Sequence, residues 1–484
     1  MTTHRGFLAQ CEHELLHLSG AIQPHGALLA VAADGRVTHA SDNLGTLLGL
    51  DPQSLLGEAL PAPLATPLGR LGQLPGARLF VPLVEGVAGD FALLASRNAA
   101  GQAVIELLPD NEEEMLLDDV SPLVHIGSRE ELMMQRQSLV ERIVELSGFD
   151  RVLFYRFLPS GDGEVLAEAL GAGAQGRYLG LRFPASDIPG IARALYVKNP
   201  WRSIPDAAAV SVPLLGLDDA PPPDLTLADL RSLSPMHQLY LHNMGVASAI
   251  SFPLTIGDEL TALISCHAVR PRRLPLSRLN RLSQEVESFA LAEKTYRTRT
   301  RQNMLDGLER HFNGVRRQVT RQGGLRQAWS LLSPWLMTEF DADGAMLCGE
   351  GTVLREGLSL EPEALDAVER WCEGEEVVTR ISDHLLADCP EMPLSEVAGL
   401  LAISLLTPSG ERLRCYLCRE EEAQEVAWGG NPDKPVEFQS GPVPIAPRRS
   451  FETWLETRLG YSRPWPEQAR LKLLKLRQLL QEAT

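Results

Sequence analysis

The spacing of apolar positions changes period several times along the 484 residues, and each change marks a different region. From Gly26 to about Leu108, short runs rich in leucine or β-branched residues, such as Ala27 to Val31 and Phe91 to Leu94, alternate with turn residues. Ala33-Asp34-Gly35 and Arg97-Asn98-Ala99-Ala100-Gly101 are two such turns. This predicts a small α/β domain around an antiparallel sheet. Asp110 to Asp119 reads as an acidic connector. A helix is then expected from about Arg129 to Leu146, with Leu132, Met133, Leu139, Ile143 and Val144 on one stripe.

Arg151-Val152-Leu153-Phe154-Tyr155-Arg156-Phe157 alternates like a strand, and strand patterns return at Ala249 to Leu254 and Leu260 to Cys266. Between them lies a proline-punctuated stretch from Leu170 to Ser234. Insertions of that length framed by regular structure usually bind something. A long helical pattern from about Leu276 to Val315 follows, then a third α/β region that closes on a leucine-rich amphipathic helix, Pro466 to Gln481.

The length calls for two to four domains, with three the natural division. Hydrophobic residues at 44% and charged residues at 22% describe an ordinary globular chain, and the net charge of -18 argues against a nucleic-acid surface. Met1 to Leu16 lacks the apolar core of a secretory signal, and the longest apolar stretch, around Ala398 to Leu406, is far short of a bilayer span. No membrane association and a cytoplasmic location are expected. Seven scattered cysteines suit a reduced compartment. Cys415-Tyr416-Leu417-Cys418 has no second pair at finger-like spacing, so core strand cysteines are expected there rather than zinc ligands, and no Gly-rich phosphate loop is present.

Chemistry concentrates in a few segments. In Phe183-Pro184-Ala185-Ser186-Asp187-Ile188-Pro189 an aspartate sits between two prolines, on backbone that cannot easily continue a helix or a central strand. Its carbonyl and carboxylate are then free to face a ligand; the plainer alternative is a cap on a helix starting near Pro189. His237, after Ser234-Pro235-Met236, should open a helix. Cys266 and His267 are adjacent on a strand, so their side chains point to opposite faces and cannot form a nucleophile pair.

Together with Cys11-Glu12-His13-Glu14, Ile22-Gln23-Pro24-His25-Gly26 and Pro447-Arg448-Arg449-Ser450-Phe451, these segments resemble the photosensory region of a bacterial phytochrome over nearly the whole chain. The resemblance implies an α+β protein of three consecutive α/β sensory domains, PAS, GAF and PHY, with central antiparallel sheets and long connecting helices. It also implies a figure-of-eight knot between the first two domains, an exception to the unknotted rule. The implied boundaries are 1–120, 121–300 and 301–484, with a tongue at about 425–456.

The same resemblance implies a biliverdin cofactor, a linear tetrapyrrole, bonded covalently to Cys11. Asp187 and Ile188 would lie against its pyrroles, with His237 beside the central rings and His267 at the carbonyl of the outermost ring. Arg202, Arg231, Ser234 and Ser251 would meet its propionates, and Tyr155, Phe183, Tyr196 and Tyr240 would wall the ring that rotates. Two positions depart from the family pattern: Ala249 replaces an expected serine and Ala268 replaces the second histidine after Cys266. In the tongue, Arg448 would pair with the Asp187 carboxylate, while Trp428 and Trp454 would exchange places as the tongue refolds.

Such a chain would be a red/far-red light receptor and not itself an enzyme, a homodimer signalling to a histidine kinase and its response regulator. No output domain is recognisable before Thr484. The rival readings are a GAF-type sensor of a small metabolite and a thiol enzyme built on Cys266 and His267.

Overall fold

The computed structural model describes residues 14–84, 91–109, 124–218, 220–349, 351–373, 379–407, 410–432 and 451–482. Cys11, Arg448 and the acidic connector lie outside the described residues. The chain forms two compact units, one of residues 1–294 with 427–454, the other of 295–426 with 455–484.

The first unit holds two sheets. In one, seven strands run in the order Ala21–Ile22, Val212–Gly216, Val37–Ser41, Ala27–Val31, Ala103–Pro109, Phe91–Arg97, Arg78–Val81. Ala27–Val31 is buried at every position because both faces are covered, which explains a leucine-rich run without strict alternation. Leu29, Leu93, Ile105 and Leu107 pack with Leu44, Leu48 and Leu64 of short helices on one face. On the other face Glu106 accepts from the Leu230 N–H. The two predicted turns form: Gly35 and Gly101 both have positive φ, and the Asn98 carboxamide oxygen accepts from the Ala100 and Gln102 N–H groups.

The N-terminal segment lies between the two limbs of a loop. Ala21 and Ile22 pair with Pro213 and Val212 on one side, while Gln23 N–H donates to Leu230 O and Ser232 N–H to Ala21 O on the other. This arrangement is consistent with the expected knot.

The second sheet runs Arg202–Ile204, Ser248–Ile256, Glu259–Ala268, Arg151–Phe157, Gly163–Leu170, Arg182–Phe183, and Trp428 of strand Gln424–Gly429 pairs with Arg182 at its end. Helix Arg129–Ser147 covers one face, as its sequence specifies. Ser128 caps it by accepting from the Glu131 N–H, Glu131 accepts in return from the Gly127 N–H, and Gly148 ends it in the left-handed region. The stripe differs from the expected one: Leu132, Leu139, Val140 and Ile143 are buried, whereas Met133 is 53% exposed. Arg136 joins them on the inward side because its guanidinium meets the buried Glu293 at 2.6 Å and lies over the Phe154 ring, 5.1 Å from its centroid. Phe154 also meets Phe289 edge-on, from the 46-residue helix Leu276–Arg321.

The second unit is built on five antiparallel strands, in the order Thr352–Gly357, Gly344–Gly349, Arg412–Glu420, Val397–Leu406, Thr379–Ser382. Each face has its own core. Leu401, Ile403, Cys415 and Leu417 join helices Trp329–Phe340 and Ala469–Gln481; Leu400, Ala402, Tyr416 and Cys418 join helix Pro362–Trp371. Cys415 and Cys418, three residues apart, thus point to opposite faces and are fully buried core residues. No helix of the described residues is long and apolar enough to cross a membrane, and no metal-binding group of side chains occurs among them.

Candidate functional site

The face of the second sheet opposite helix Arg129–Ser147 carries Leu153, Tyr155, Val165 and Leu263 in one cluster, and Ser265 and His267 continue the same side of their strand. Cys266 points the other way and is fully buried, with its thiol pKa raised by burial, so the thiol-enzyme arrangement does not exist. Helices Gly190–Lys198 and Pro235–Asn243 stand over this face. The first packs on strands Ser248–Ile256 and Glu259–Ala268; the second is anchored by Leu241 in a cluster with Ile204, Ala207 and Ala249.

Asp187 ends a single 3-10 turn, Ala185–Asp187, whose one internal bond runs from the Asp187 N–H to Pro184 O (3.0 Å). It does not cap the following helix, which has Pro189 at its N-cap and no side-chain cap. Its carboxylate instead accepts from the Tyr240 hydroxyl at 2.9 Å. Tyr240 in turn meets the Phe451 ring edge-on, with centroids 5.4 Å apart at 89°.

His237 sits in the first turn of helix Pro235–Asn243, where Ser234 is the N-cap and its hydroxyl accepts from the His237 N–H (3.3 Å). His267 Nε2 is hydrogen-bonded to Ser265 Oγ at 3.0 Å, while Nδ1 is buried and has no partner. Both rings are only half-buried by surface area, yet burial holds each pKa near 4, with Arg202 and Arg231 adding to the effect at His237, and Arg151 and His237 at His267. Both rings are neutral at pH 7.

The two arginines differ. The Arg202 guanidinium is committed to backbone, donating to the carbonyls of Asp229, Arg231 (2.5 Å) and Ser232 (3.4 Å). Arg231 makes one long contact, to Leu225 O at 3.5 Å, and its pKa is pushed down to about 9 by burial and by Arg202. Ser251 lies across from Arg202 on one side and from Ser265 on the other, in one row of the sheet; Ala249 lies across from His267.

Aromatic rings close one end. Tyr155 and Phe183 are 6.0 Å apart, Tyr178 meets Phe183 edge-on at 5.8 Å, and Ile188, Tyr196 and Phe451 pack on the same cluster. Gly163 makes room for Tyr155, since a Cβ there would fall inside the tyrosine ring. Trp428 is buried and pairs with Arg182, Gly430 N–H donates to Glu452 O (2.8 Å), and Trp454 is half-buried.

Asp187, Ile188, His237, His267, Tyr155, Phe183, Tyr196, Tyr240, Arg231 and Ser251 are thus gathered in one part of the first unit. Arg202 and Ser234 are present there too, Arg202 with three N–H groups on carbonyls and Ser234 with its hydroxyl oxygen accepting as a helix cap. Sequence reasoning passed over Tyr178, Ser265 and Arg193; of these, only Ser265 had a readable signal, its i, i+2 spacing from His267 on a strand.

This architecture and site define a three-part sensory protein, and family models match each part: a PAS fold over residues 11–69, a GAF domain over 136–291 and a phytochrome region over 310–484. A bacteriophytochrome of Pseudomonas aeruginosa is 31% identical over 479 residues, covering 95% of this chain and 64% of that protein. One of Xanthomonas campestris is 29% identical, covering 94% of this chain and 75% of that protein. Among solved structures, the Stigmatella aurantiaca phytochrome photosensory core module superposes with a TM-score of 0.80 at 30% identity, covering 98% of this chain and 97% of that one. The bacteriophytochrome RpBphP3 of R. palustris gives 0.79 at 28% identity, covering 98% and 99%. The chain belongs to the phytochrome family and carries a bacteriophytochrome photosensory module. It spans just under two thirds of the Pseudomonas relative's length.

Proposed function

We propose that this chain senses red and far-red light through biliverdin held in the cleft of its GAF part and tethered to Cys11. The observation that carries the reading is the convergence of two neutral histidines, one underused buried arginine and the Asp187–Tyr240 pair on a single aromatic-walled cleft. The residues suit the group. Arg231, buried beside a second guanidinium, gains from a carboxylate such as a propionate. The unpartnered His267 Nδ1 suits a polar atom at one end of a ligand, and Tyr155, Phe183, Tyr178 and Tyr196 supply flat apolar walls.

When bound, the pigment supplies visible-light absorption and a double bond that isomerises. The protein's part is to hold it. Arg231 and Ser251 take the acidic side chains, with Arg202 fixing the 229–232 backbone from which Arg231 projects. His237 presents a neutral ring to the pyrroles, and Ser265 orients His267. Tyr240 holds the Asp187 carboxylate, which is expected to pair with Arg448 of the tongue. Exchange of Trp428 and Trp454 during tongue refolding, homodimerisation, output through a histidine kinase and response regulator, a cytoplasmic location and the domain limits 1–120, 121–300 and 301–484 belong to the same proposal.

The test is reconstitution. Purified protein mixed with biliverdin should acquire a red absorption band that red light converts, and the pigment should stay with the chain under acid denaturation. Cys11→Ser should bind the pigment but release it on denaturation. A protein that stays colourless at saturating biliverdin overturns the proposal and returns the fold to metabolite sensing.

A further inference from the structure

Arg193, on helix Gly190–Lys198, makes contacts that no role described above requires. Its Nε donates to Ile188 O at 2.6 Å, and its Nη2 donates to Gly161 O at 2.5 Å and to Ala185 O at 3.2 Å. The guanidinium also lies over the Phe157 ring, 4.5 Å from its centroid. From the opposite hairpin, Asp162 accepts from the Ala185 N–H at 3.0 Å and from the Ser160 hydroxyl at 2.8 Å.

These contacts fall where the backbone has least support. The turn Ala185–Asp187 has no side-chain cap and a single internal bond, and Pro184 and Pro189 on either side have no N–H to give. Carbonyls in so short a turn lack helical partners. One planar fork reaching back from the next helix takes two of them, and its third bond ties the turn to the hairpin between strands Arg151–Phe157 and Gly163–Leu170. A lysine ammonium has neither the reach nor the planar spread to serve three carbonyls at once.

We infer that Arg193, with Asp162, is a positioning residue that clamps the Asp187 turn against the hairpin and so fixes where the Asp187 carbonyl and carboxylate stand. The role in light sensing rests on the function proposed above; the clamp itself does not.

The apoprotein carries the first arm of the test. In Arg193→Ala, backbone amide hydrogen exchange over residues 185–188 should quicken about tenfold, the effect of losing about 1.4 kcal/mol of charge-assisted bonding. Strands Ser248–Ile256 and Glu259–Ala268 should keep their wild-type protection. Arg193→Lys, which retains the charge, should fail to restore it and stands in should the alanine variant not fold. Asp162→Asn should quicken the same residues.

In the second arm, with biliverdin bound, both Arg193 variants should take up pigment but shift the red band and lower the photoconverted fraction. Unchanged exchange in Arg193→Lys and Arg193→Ala, or acceleration spread evenly over the whole sheet, overturns the clamp. Faster local exchange with an unaltered spectrum and photoconversion overturns its role at Asp187. Wild-type protein that takes up no pigment refutes the proposed function, while the exchange arm still decides the clamp.

Discussion

Replacing Glu106 by glutamine should stabilise the apoprotein at alkaline pH and do little at acid pH. Glu106 is fully buried; Oε1 accepts from the Leu230 N–H at 2.5 Å, and Oε2 is buried without a partner. Burial, reinforced by the neighbouring Asp229 carboxylate, lifts its pKa from 4.5 to about 8, against the opposing pull of the Leu230 N–H, Arg78 and Arg202. The unfolded chain gives up this proton near pH 4.5, whereas the folded chain keeps it to about pH 8. Between those limits the folded state holds the extra proton, so its stability is full below pH 4.5 and declines as pH rises to about 8. At 1.4 kcal/mol per pH unit the ceiling is about 5 kcal/mol, and local relaxation should bring the realised loss to roughly 2–3 kcal/mol. Glutamine keeps the acceptor for Leu230 and cannot ionise. Urea unfolding of both proteins at pH 5, 7 and 9 is the assay. The variant's advantage should be small at pH 5 and reach a few kcal/mol at pH 9. His25, held near 3 by burial, Arg273 and Arg202, and the two cleft histidines near 4 titrate in both proteins and drop out of the difference. A difference that does not change between pH 5 and 9, or a variant less stable at pH 9, refutes the reasoning.

Two further outcomes are expected. Gly429→Ala would place a Cβ 2.6 Å from the Phe183 ring, a core residue that cannot yield freely; a cost of about 1–3 kcal/mol should appear as faster hydrogen exchange at residues 427–430, and unchanged protection there would refute the close approach. Tyr240→Phe keeps the edge-on contact with Phe451 but removes the hydroxyl from Asp187, which should cost about 1–2 kcal/mol by thermal unfolding; no loss would refute the Tyr240 bond as a stabilising contact.

Much of the fold was readable because the signals are local. The apolar spacing from Leu132 to Val144 predicts helix Arg129–Ser147, the alternation through Arg151–Phe157 predicts that strand, and the period of the strand ending Leu260 to Cys266 separates Cys266 from His267. The flanking prolines marked Asp187 before its partner was known. What could not be read are consequences of contacts far apart in the chain. Met133 shares the apolar stripe on paper, yet Arg136 is drawn inward by Glu293, 157 residues away. Arg202 reads as a ligand contact, and its bonds to carbonyls 27 to 30 residues on, which take three of its five N–H groups, have no signal in the sequence. Arg193 reads as an ordinary helix arginine, and only the folded hairpin brings Gly161, 32 residues back, within its reach.

Glu106 and the cleft arginines belong to one electrostatic set, and this explains how a buried acid can be tolerated there. Asp229 accepts from the Ser203 N–H at 2.8 Å, on the same segment whose carbonyl holds Arg202, and Arg202 lowers the pKa of Asp229 against the upward pull of burial. With Glu106 protonated, Arg78, Arg202 and Arg231 face a single carboxylate at most, and positive charge is left in excess. Ionising Glu106 would place a second negative charge in the set and weaken the attraction of Arg231 for any acidic ligand group. The proton on Glu106 therefore serves two ends: it spares the folded chain an unpaired buried charge, and it preserves the cationic character of the cleft floor. Under the proposed function Arg231, the arginine of the three with fewest carbonyl contacts, would be the one to express that charge toward a ligand.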